Sequence, residues 1–331
     1  MGQSLSTTIY SGWGWDECVA TAVLATALLR KGYKVYIEFP SPSERRGLFI
    51  TKSYAVGFSH REGSILNDAI AIQYLPDKRL GVILKYDSTG KGEVIMRFSN
   101  VSSLTMTLME YVQTLNENVT VPEQLLRDIE NINSGDLDKL SKVGKLMVQA
   151  LKINYSSKEF RQVMYSFAME AIRTRTVRAT EDLAKEAQKY DEAMEIGNKI
   201  LEEKQYIPYG DLKVLIISSK CKKPVIKENY SLLRPVAYDL LLKVCREDGV
   251  GILVQETELG HTIRICLRRR DVSFVNVIAS IPKDLSDLLN VSLRGNHIII
   301  KYRNPAESTL DNVLQLVDTI AHTISEQLKR K

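Results

Sequence analysis

The first forty residues constrain this chain more than any other segment, because they combine strand, turn and helix patterns in one order. Residues 5–10 form a β-favouring run, and residues 34–39 alternate polar with apolar side chains. Between them, apolar residues recur every three or four positions from 19 to 28, which predicts a helix with one buried face. A glycine-bearing turn at 11–15 opens that helix, and Gly32 ends it. This order predicts a right-handed βαβ unit and a parallel sheet.

The βαβ unit also predicts where chemistry would be found. In sheets of this kind ligands lie off the carboxyl ends of the strands, so the turn at 11–15 is the first candidate site. With 331 residues, 44% hydrophobic and 26% charged, the chain can hold two domains with separate cores. We predict an α/β fold with a parallel-sheet domain at 1–150, a helical region and connector at 151–206, and a smaller α/β domain at 207–331.

Periodicity elsewhere supports this division. Residues 80–85 and 93–98 predict a hairpin, and residues 101–205 are mostly helical in pattern. Thr120 and Glu123 have the spacing of a capping box, and Thr180 opens a long charged helix with a thin apolar stripe, as suits a connector. Ser308 and Asp311 have capping-box spacing before a final helix.

Composition excludes few functions. The first residues carry no secretory pattern, and no apolar run approaches the roughly 20 residues of a membrane span. The four cysteines are scattered without a C-x-x-C spacing, which fits thiols that pack as small apolar groups in a reducing cytoplasm. A net charge of +5 permits nucleic-acid binding without requiring it.

The first turn and its flanking elements resemble the start of the DHH phosphoesterase superfamily, which includes the RecJ nucleases. In that family the first strand ends in His-x-Asp-x-Asp-Gly, and the His and Asp residues bind manganese. On this chain the His position is Ser11, the two Asp positions are Trp13 and Trp15, and the Gly position is Asp16. Manganese needs carboxylate oxygens or imidazole nitrogens, whereas an indole N–H can only donate. The resemblance therefore implies a retained scaffold with a degenerate metal site.

Two later segments extend the resemblance. The family's Asp-His-His motif has its nearest counterpart in residues 58–60, where only His60 matches. The DHH-associated C-terminal domain of the family carries a Gly-Gly-Gly-His turn that grips substrate phosphate, and residues 294–297 keep one glycine and His297. Residues 261–269 predict a strand with Arg264, Arg268 and Arg270 on one open face, which is equally consistent with phosphate binding and with an ordinary solvated surface. The candidate DNA or phosphate contacts are Arg264, Arg268, Arg270, Arg294 and His297.

The resemblance implies a DHH-type domain, a helical connector and a DHH-associated domain, and three functional hypotheses follow. The first is an inactivated, RecJ-like archaeal replication subunit in the cytoplasm, associated with the nucleoid. It would have no cofactor or metal and no catalytic activity, would bind GINS, would meet the MCM helicase through GINS, and would contact single-stranded DNA weakly. The second is a manganese-dependent 5′-to-3′ exonuclease with recruited ligands, for which the donors are Asp16, Glu17, His60, Asp68 and Asp87. The third is an independent single-strand-binding module, in which Trp13 and Trp15 stack on bases instead of filling the old pocket.

Overall fold

The computed structural model describes residues 5–58, 63–210 and 212–329. The chain divides into two compact units, residues 1–188 and 189–331. The division falls inside one long helix, α6 (Glu181–Glu202), which is the helix predicted as a connector. Thr180 caps this helix as predicted, because its hydroxyl accepts the backbone N–H of Leu183 at 3.3 Å.

The first unit is built on a sheet of six described strands in the order β2-β1-β4-β6-β7-β8. The first four strands in this order are mutually parallel, and the last two add antiparallel pairs, so the parallel sheet that was predicted is the larger part of a mixed sheet. β3 and β5 form a separate parallel pair. The strand bounds are β1 Ser6–Ser11, β2 Lys34–Glu38, β3 Phe49–Thr51, β4 Tyr54–Val56, β5 Ile65–Asn67, β6 Ile70–Leu75, β7 Leu80–Tyr86 and β8 Gly92–Ser99.

Helix α1 (Trp15–Arg30) connects β1 to β2 and forms the centre of the first core. Gly32 takes φ +81° beyond its last turn, a left-handed conformation that ends the helix as predicted. Twelve of the sixteen residues of α1 are buried, because α1 packs against the sheet, α2 and α5. The other helices are α2 Leu104–Thr114, α3 Glu123–Ser134, α4 Lys142–Ile153 and α5 Lys158–Thr174. The predicted capping box before α3 is wrong: Pro122 holds the N-cap position and no side chain caps the helix there.

The second unit contains a sheet of six described strands in the order β13-β14-β12-β11-β10-β9. Only the β10–β11 pair is parallel within it. The strands are β9 Ile207–Tyr209, β10 Leu212–Ile217, β11 Val250–Thr257, β12 Gly260–Leu267, β13 Leu289–Arg294 and β14 His297–Tyr302. The helices are α7 Pro224–Glu228, α8 Tyr230–Asp248, α9 Phe274–Ala279, α10 Lys283–Ser286 and α11 Leu310–Lys329.

Three details of the second unit correct or extend the sequence predictions. Residues 291–301, read as one interrupted strand, form the β13–β14 hairpin. Ser308 does not cap α11; its hydroxyl accepts the N–H of His261 at 2.7 Å, and Thr309 caps the helix through Asn312. None of the helices in the described ranges has the length and apolar composition of a membrane-spanning segment.

A disulfide also overturns the prediction that all four cysteines are reduced thiols. Cys245 of α8 and Cys266 of β12 are bonded, with their Cα atoms 6.0 Å apart. Cys18 and Cys221 are free and buried, as predicted for packing groups. Pairing could not be read from spacing, because the two bonded residues meet only when α8 packs on the sheet.

Candidate functional site

The turn after β1 lies where the βαβ pattern placed it, at the carboxyl edge of the parallel strands. The Gly12 N–H donates to the Val56 carbonyl at 2.8 Å, and the Gly57 N–H donates to the Ile72 carbonyl at 2.9 Å. These bonds align the ends of β1, β4 and β6 side by side. The first turn therefore lies next to the segment after β4, where a ligand of a doubly wound sheet would bind.

Trp15 belongs to the core beneath this turn. Its side chain is 2% exposed, and its indole N–H donates to the Met147 carbonyl at 2.8 Å. Phe160 and Phe167 pack edge-on against it, with ring centroids 6.3 and 5.6 Å away. Trp15 is thus a core residue, surrounded by apolar groups and one carbonyl acceptor.

Trp13 lies nearer the surface and is half-buried. Its indole N–H donates to the Phe39 carbonyl at 3.2 Å. The guanidinium of Arg161 lies 4.7 Å from the ring centroid, which is cation–π distance. Arg161 itself is fully buried and donates to the Tyr155 carbonyl at 2.5 Å. The ring of Trp13 thus already has a cation over it and an acceptor at its nitrogen.

Asp16 is buried and both of its carboxylate oxygens are engaged by the protein. One oxygen accepts the Leu104 N–H at 2.8 Å and the Asn133 amide at 2.9 Å. The other accepts the Thr105 N–H at 2.8 Å and the Thr105 hydroxyl at 2.7 Å. Burial raises the pKa of Asp16, and these four hydrogen bonds oppose that rise. Asp16 therefore holds the amino end of α2.

Glu17 occupies the space inside the turn. A Cβ at Gly12, Gly14 or Gly57 would collide with its side chain, so three glycines wrap around it. Its carboxylate accepts backbone N–H groups from Gly14 and from Glu17 itself. Burial raises the pKa of Glu17, and the neighbouring Asp16 carboxylate raises it further. The amino end of α1, which would otherwise bind an anion, is satisfied by a side chain of its own first turn.

The side chains at this turn do not fit a divalent metal. The Ser11 hydroxyl is fully buried, donates to the Gly12 carbonyl at 3.1 Å and accepts the Thr21 hydroxyl at 2.9 Å. Trp13 and Trp15 offer donors only, and Asp16 is fully engaged. Among the described residues no three His, Cys, Asp or Glu side chains are arranged to hold a metal. His60 lies outside the described residues.

The remaining described donors of the exonuclease hypothesis, Asp68 and Asp87, lie at the opposite end of the parallel strands from the first turn. Asp68 precedes β6, which runs parallel to β1 and β4, so it lies at their amino ends. Asp87 follows the antiparallel strand β7, and its carbonyl accepts the Asp68 N–H at 3.0 Å. Its carboxylate closes the hairpin turn through Thr89 and Lys91. Asp68 and Asp87 are therefore separated from Asp16 and Glu17 by the length of the strands, at about 3.3 Å per residue. A two-metal site needs ligands around ions about 4 Å apart, so these four carboxylates cannot share one.

The second unit brings two of the predicted phosphate contacts together. The guanidinium of Arg264 lies 5.2 Å from the ring centroid of Tyr238, and the Tyr238 hydroxyl lies 3.1 Å from Nε2 of His297. Nε of Arg264 and Nδ1 of His297 are buried without a hydrogen-bond partner in the described ranges. Burial lowers the pKa of His297, and the charges of Arg264 and Arg268 lower it further. We refer to Tyr238, Arg264 and His297 as the Tyr-Arg-His cluster.

The predicted open face with three arginines is wrong. Only Arg264 belongs to β12, and α8 covers its face of the sheet, as the Cys245–Cys266 bond shows. Arg268 and Arg270 lie in the loop after β12 and are exposed; Arg294 is exposed at the end of β13. Sequence reasoning also missed Tyr238, since a tyrosine inside an amphipathic helix gives no signal of what it faces.

Comparisons with known proteins give distant likenesses of fold. No protein-family model matches the chain, and no curated protein matches it by sequence. The solved structures similar to it include exonuclease RecJ bound to manganese, at 13% identity and a TM-score of 0.41, covering 99% of this chain and 91% of that one. RecJ from Thermus thermophilus in complex with Mn²⁺ aligns at 11% identity and a TM-score of 0.42, over 99% of this chain and 53% of that one. CDC45 from Entamoeba histolytica aligns at 7% identity and a TM-score of 0.37, over 98% and 96%. The chain therefore spans about half the length of the Thermus thermophilus RecJ.

Proposed function

We propose that this chain is a non-catalytic RecJ-like subunit of a replicative helicase complex, which binds GINS and helps to couple it to the MCM ring. The proposal takes its family and partners from the resemblance of the first βαβ unit and the C-terminal turn to the DHH superfamily. In this proposal the chain acts in the cytoplasm at the nucleoid, and it uses its fold as a binding scaffold.

The observation that carries the non-catalytic part is the filled first turn. Trp15 is core, Asp16 is bound to the amino end of α2, and Glu17 occupies the glycine-lined space. Each of these side chains is stabilised where it lies, so recruiting any of them to a metal would break existing contacts. A protein that keeps this architecture without donors for metal chemistry is better suited to binding than to hydrolysis.

A weak contact with single-stranded DNA is the accessory activity we propose for the Tyr-Arg-His cluster. Arg264 is half-buried, so part of its guanidinium remains accessible to a phosphate oxygen at the surface of the second unit. The exposed guanidinium of Arg268 adds positive charge next to the cluster. Since the aromatic member, Tyr238, is already paired with Arg264, we expect backbone contacts without base stacking.

Gel filtration of the full chain with purified archaeal GINS tests the partner. Co-elution at mild salt is the expected result, and independent elution of both components would count against the proposal. A matched experiment addresses chemistry: incubation of the chain with single-stranded DNA and Mn²⁺ should leave the DNA intact. Digestion that disappears in Asp16→Ala, with the fold of the variant verified by circular dichroism, would establish the exonuclease hypothesis instead.

A further inference from the structure

The second unit contains a cavity that none of the foregoing functions uses. It has a volume of about 530 Å³ and lies beside the loop that follows β10, next to the first turn of α11. Its walls are mainly aliphatic, formed by Ile207, Ile216, Leu310 and Leu314. A cavity of this size and lining is large enough to bury one or two apolar side chains of a ligand.

Three lysines line one side of this cavity. Lys220, Lys222 and Lys223 follow β10 within four consecutive residues, and all three are exposed. None of them forms an ion pair with a described residue, and Asp311 is the one acid among the described lining residues. The combination of an aliphatic interior with an unneutralised basic rim favours a ligand that is apolar at its centre and acidic around it.

Hydrogen bonds to Glu256 and His261 hold the start of the loop that carries these lysines. The carboxylate of Glu256 accepts the Ser218 hydroxyl at 2.9 Å and the Ser219 N–H at 2.7 Å. The Ser218 hydroxyl also lies 3.1 Å from Nε2 of His261, whose other ring nitrogen lies 2.9 Å from the Ser308 carbonyl. This network joins the start of the lysine loop to the segment that precedes α11, so both sides of the cavity are fixed before any ligand arrives. A fixed rim lowers the entropy cost of binding.

We propose that this cavity, with its lysine rim, is a docking site for an acidic peptide segment of a partner protein, with one or two apolar side chains in the cavity. The lysines project at the surface, so a ligand that uses both features must extend beyond the cavity, as a peptide does. Nucleic acid fits less well, because none of the described lining residues is aromatic and the interior offers no stacking surface. The inference holds whether or not GINS is the partner.

Fluorescence anisotropy of a labelled probe tests the proposal with the full chain. The probe is a short peptide with a Leu-Phe pair flanked on both sides by Glu and Asp. We expect saturable binding at low salt that weakens as salt screens the lysines. Replacing Leu-Phe in the probe by Ser-Ser should remove binding, because the cavity would no longer be filled. Absence of binding by the Leu-Phe probe would overturn the proposal.

Variants locate the binding. The double variant Lys222→Glu, Lys223→Glu should lower the affinity for the probe roughly tenfold, because two surface ion pairs with the acidic peptide become repulsive. Lys283→Glu, which changes an exposed lysine elsewhere in the second unit, should have no effect. Equal affinity for the wild-type chain and the double variant would refute the assignment. An oligothymidylate that binds more tightly than the peptide and loses affinity in the same double variant would make the surface a nucleic-acid site instead. Co-elution with GINS is measured separately, so either proposal can fail alone.

Discussion

Replacing Trp15 separates the two interpretations of the tryptophan turn. If Trp15 is core, Trp15→Ala lowers the free energy of unfolding of the first unit and leaves DNA affinity unchanged. If it stacks on bases, Trp15→Ala weakens DNA binding and leaves the free energy of unfolding unchanged. Trp13→Ala is the matched control, because Trp13 lies two residues away and is only half-buried.

The expected magnitude follows from what Trp15 contacts. The side chain is 2% exposed, and a buried tryptophan removes about 200 Å² from water, which is worth about 5 kcal/mol. Truncation also leaves the Met147 carbonyl without its donor, at a cost of about 1 kcal/mol. Partial collapse of Phe160 and Phe167 into the space should recover some of this, so we expect a loss of roughly 3–5 kcal/mol. Trp13→Ala should cost roughly 1–2 kcal/mol, since the ring is partly exposed to solvent.

The chain provides its own reporters for this measurement. Its two tryptophans both lie in the first unit, so each single variant leaves one emitter that follows unfolding of that unit in urea. In a Trp13→Phe background, Trp15 should emit at short wavelength and resist quenching by iodide. The milder Trp15→Phe keeps an aromatic ring and serves if Trp15→Ala does not fold.

Two results would contradict the placement of Trp15 in the core: a small change in the free energy of unfolding, or a response of its emission to DNA. A Trp15→Ala chain within about 0.5 kcal/mol of the wild type would show that the indole is not a structural group. Quenching of Trp15 emission by a single-stranded oligonucleotide at low salt would show that it stacks on bases.

Three further changes have defined outcomes. Asp16→Asn should lower the free energy of unfolding by roughly 2–4 kcal/mol, because each carboxylate oxygen accepts two hydrogen bonds and an amide NH₂ in place of either would face two donors. Urea titration followed by tryptophan emission measures this change. Cys245→Ala with Cys266→Ala should cost about 3 kcal/mol, the chain-entropy value for a 21-residue separation, measured by circular dichroism. His297→Gln should flatten the loss of stability on acidification. The folded pKa of His297 lies below its unfolded value of about 6.5, so the unfolded chain takes up the proton first and stability falls as the pH drops from about 6.5 toward the folded pKa.

Each of these has a control within the chain. Asp138→Asn alters an exposed aspartate in the segment between α3 and α4 and should change stability by less than about 0.5 kcal/mol. Dithiothreitol should destabilise the wild type and leave the double cysteine variant unchanged; equal sensitivity of the two would show that the bond does not form in solution. His322→Gln alters a histidine whose side chain is 75% exposed, and it should keep the wild-type pH dependence.

Periodicity predicted the elements well because it reports burial, which local sequence encodes. The β1-α1-β2 order, the β7–β8 hairpin and the end of α1 at Gly32 are all confirmed. Capping residues were less predictable, because Ser308 and Thr309 have similar hydroxyls and only tertiary contact with His261 decides between them. The strand with arginines failed for the same reason: alternation places Arg264 on one face, but it cannot show that α8 covers that face.

The position of the first turn was predicted correctly, but the contacts of its side chains were not. Sequence spacing placed residues 11–15 at the carboxyl edge of the sheet, as the bond from Gly12 to Val56 confirms. It could not show that Asp16 reaches across 88 positions to the amino end of α2, or that Glu17 folds into the space between three glycines. The partners of Asp16 come from distant segments, and only the packed fold brings them within hydrogen-bonding distance.

The packing of Trp15 sets a limit on how this chain can change by mutation. An aspartate at that position would place a charge among Phe160 and Phe167, lose the bond to Met147 and open a void the size of an indole. Metal chemistry at the turn would need several coordinated replacements, each harmful when made alone. The stability of the first unit therefore disfavours an aspartate at position 15, whatever the turn does in function.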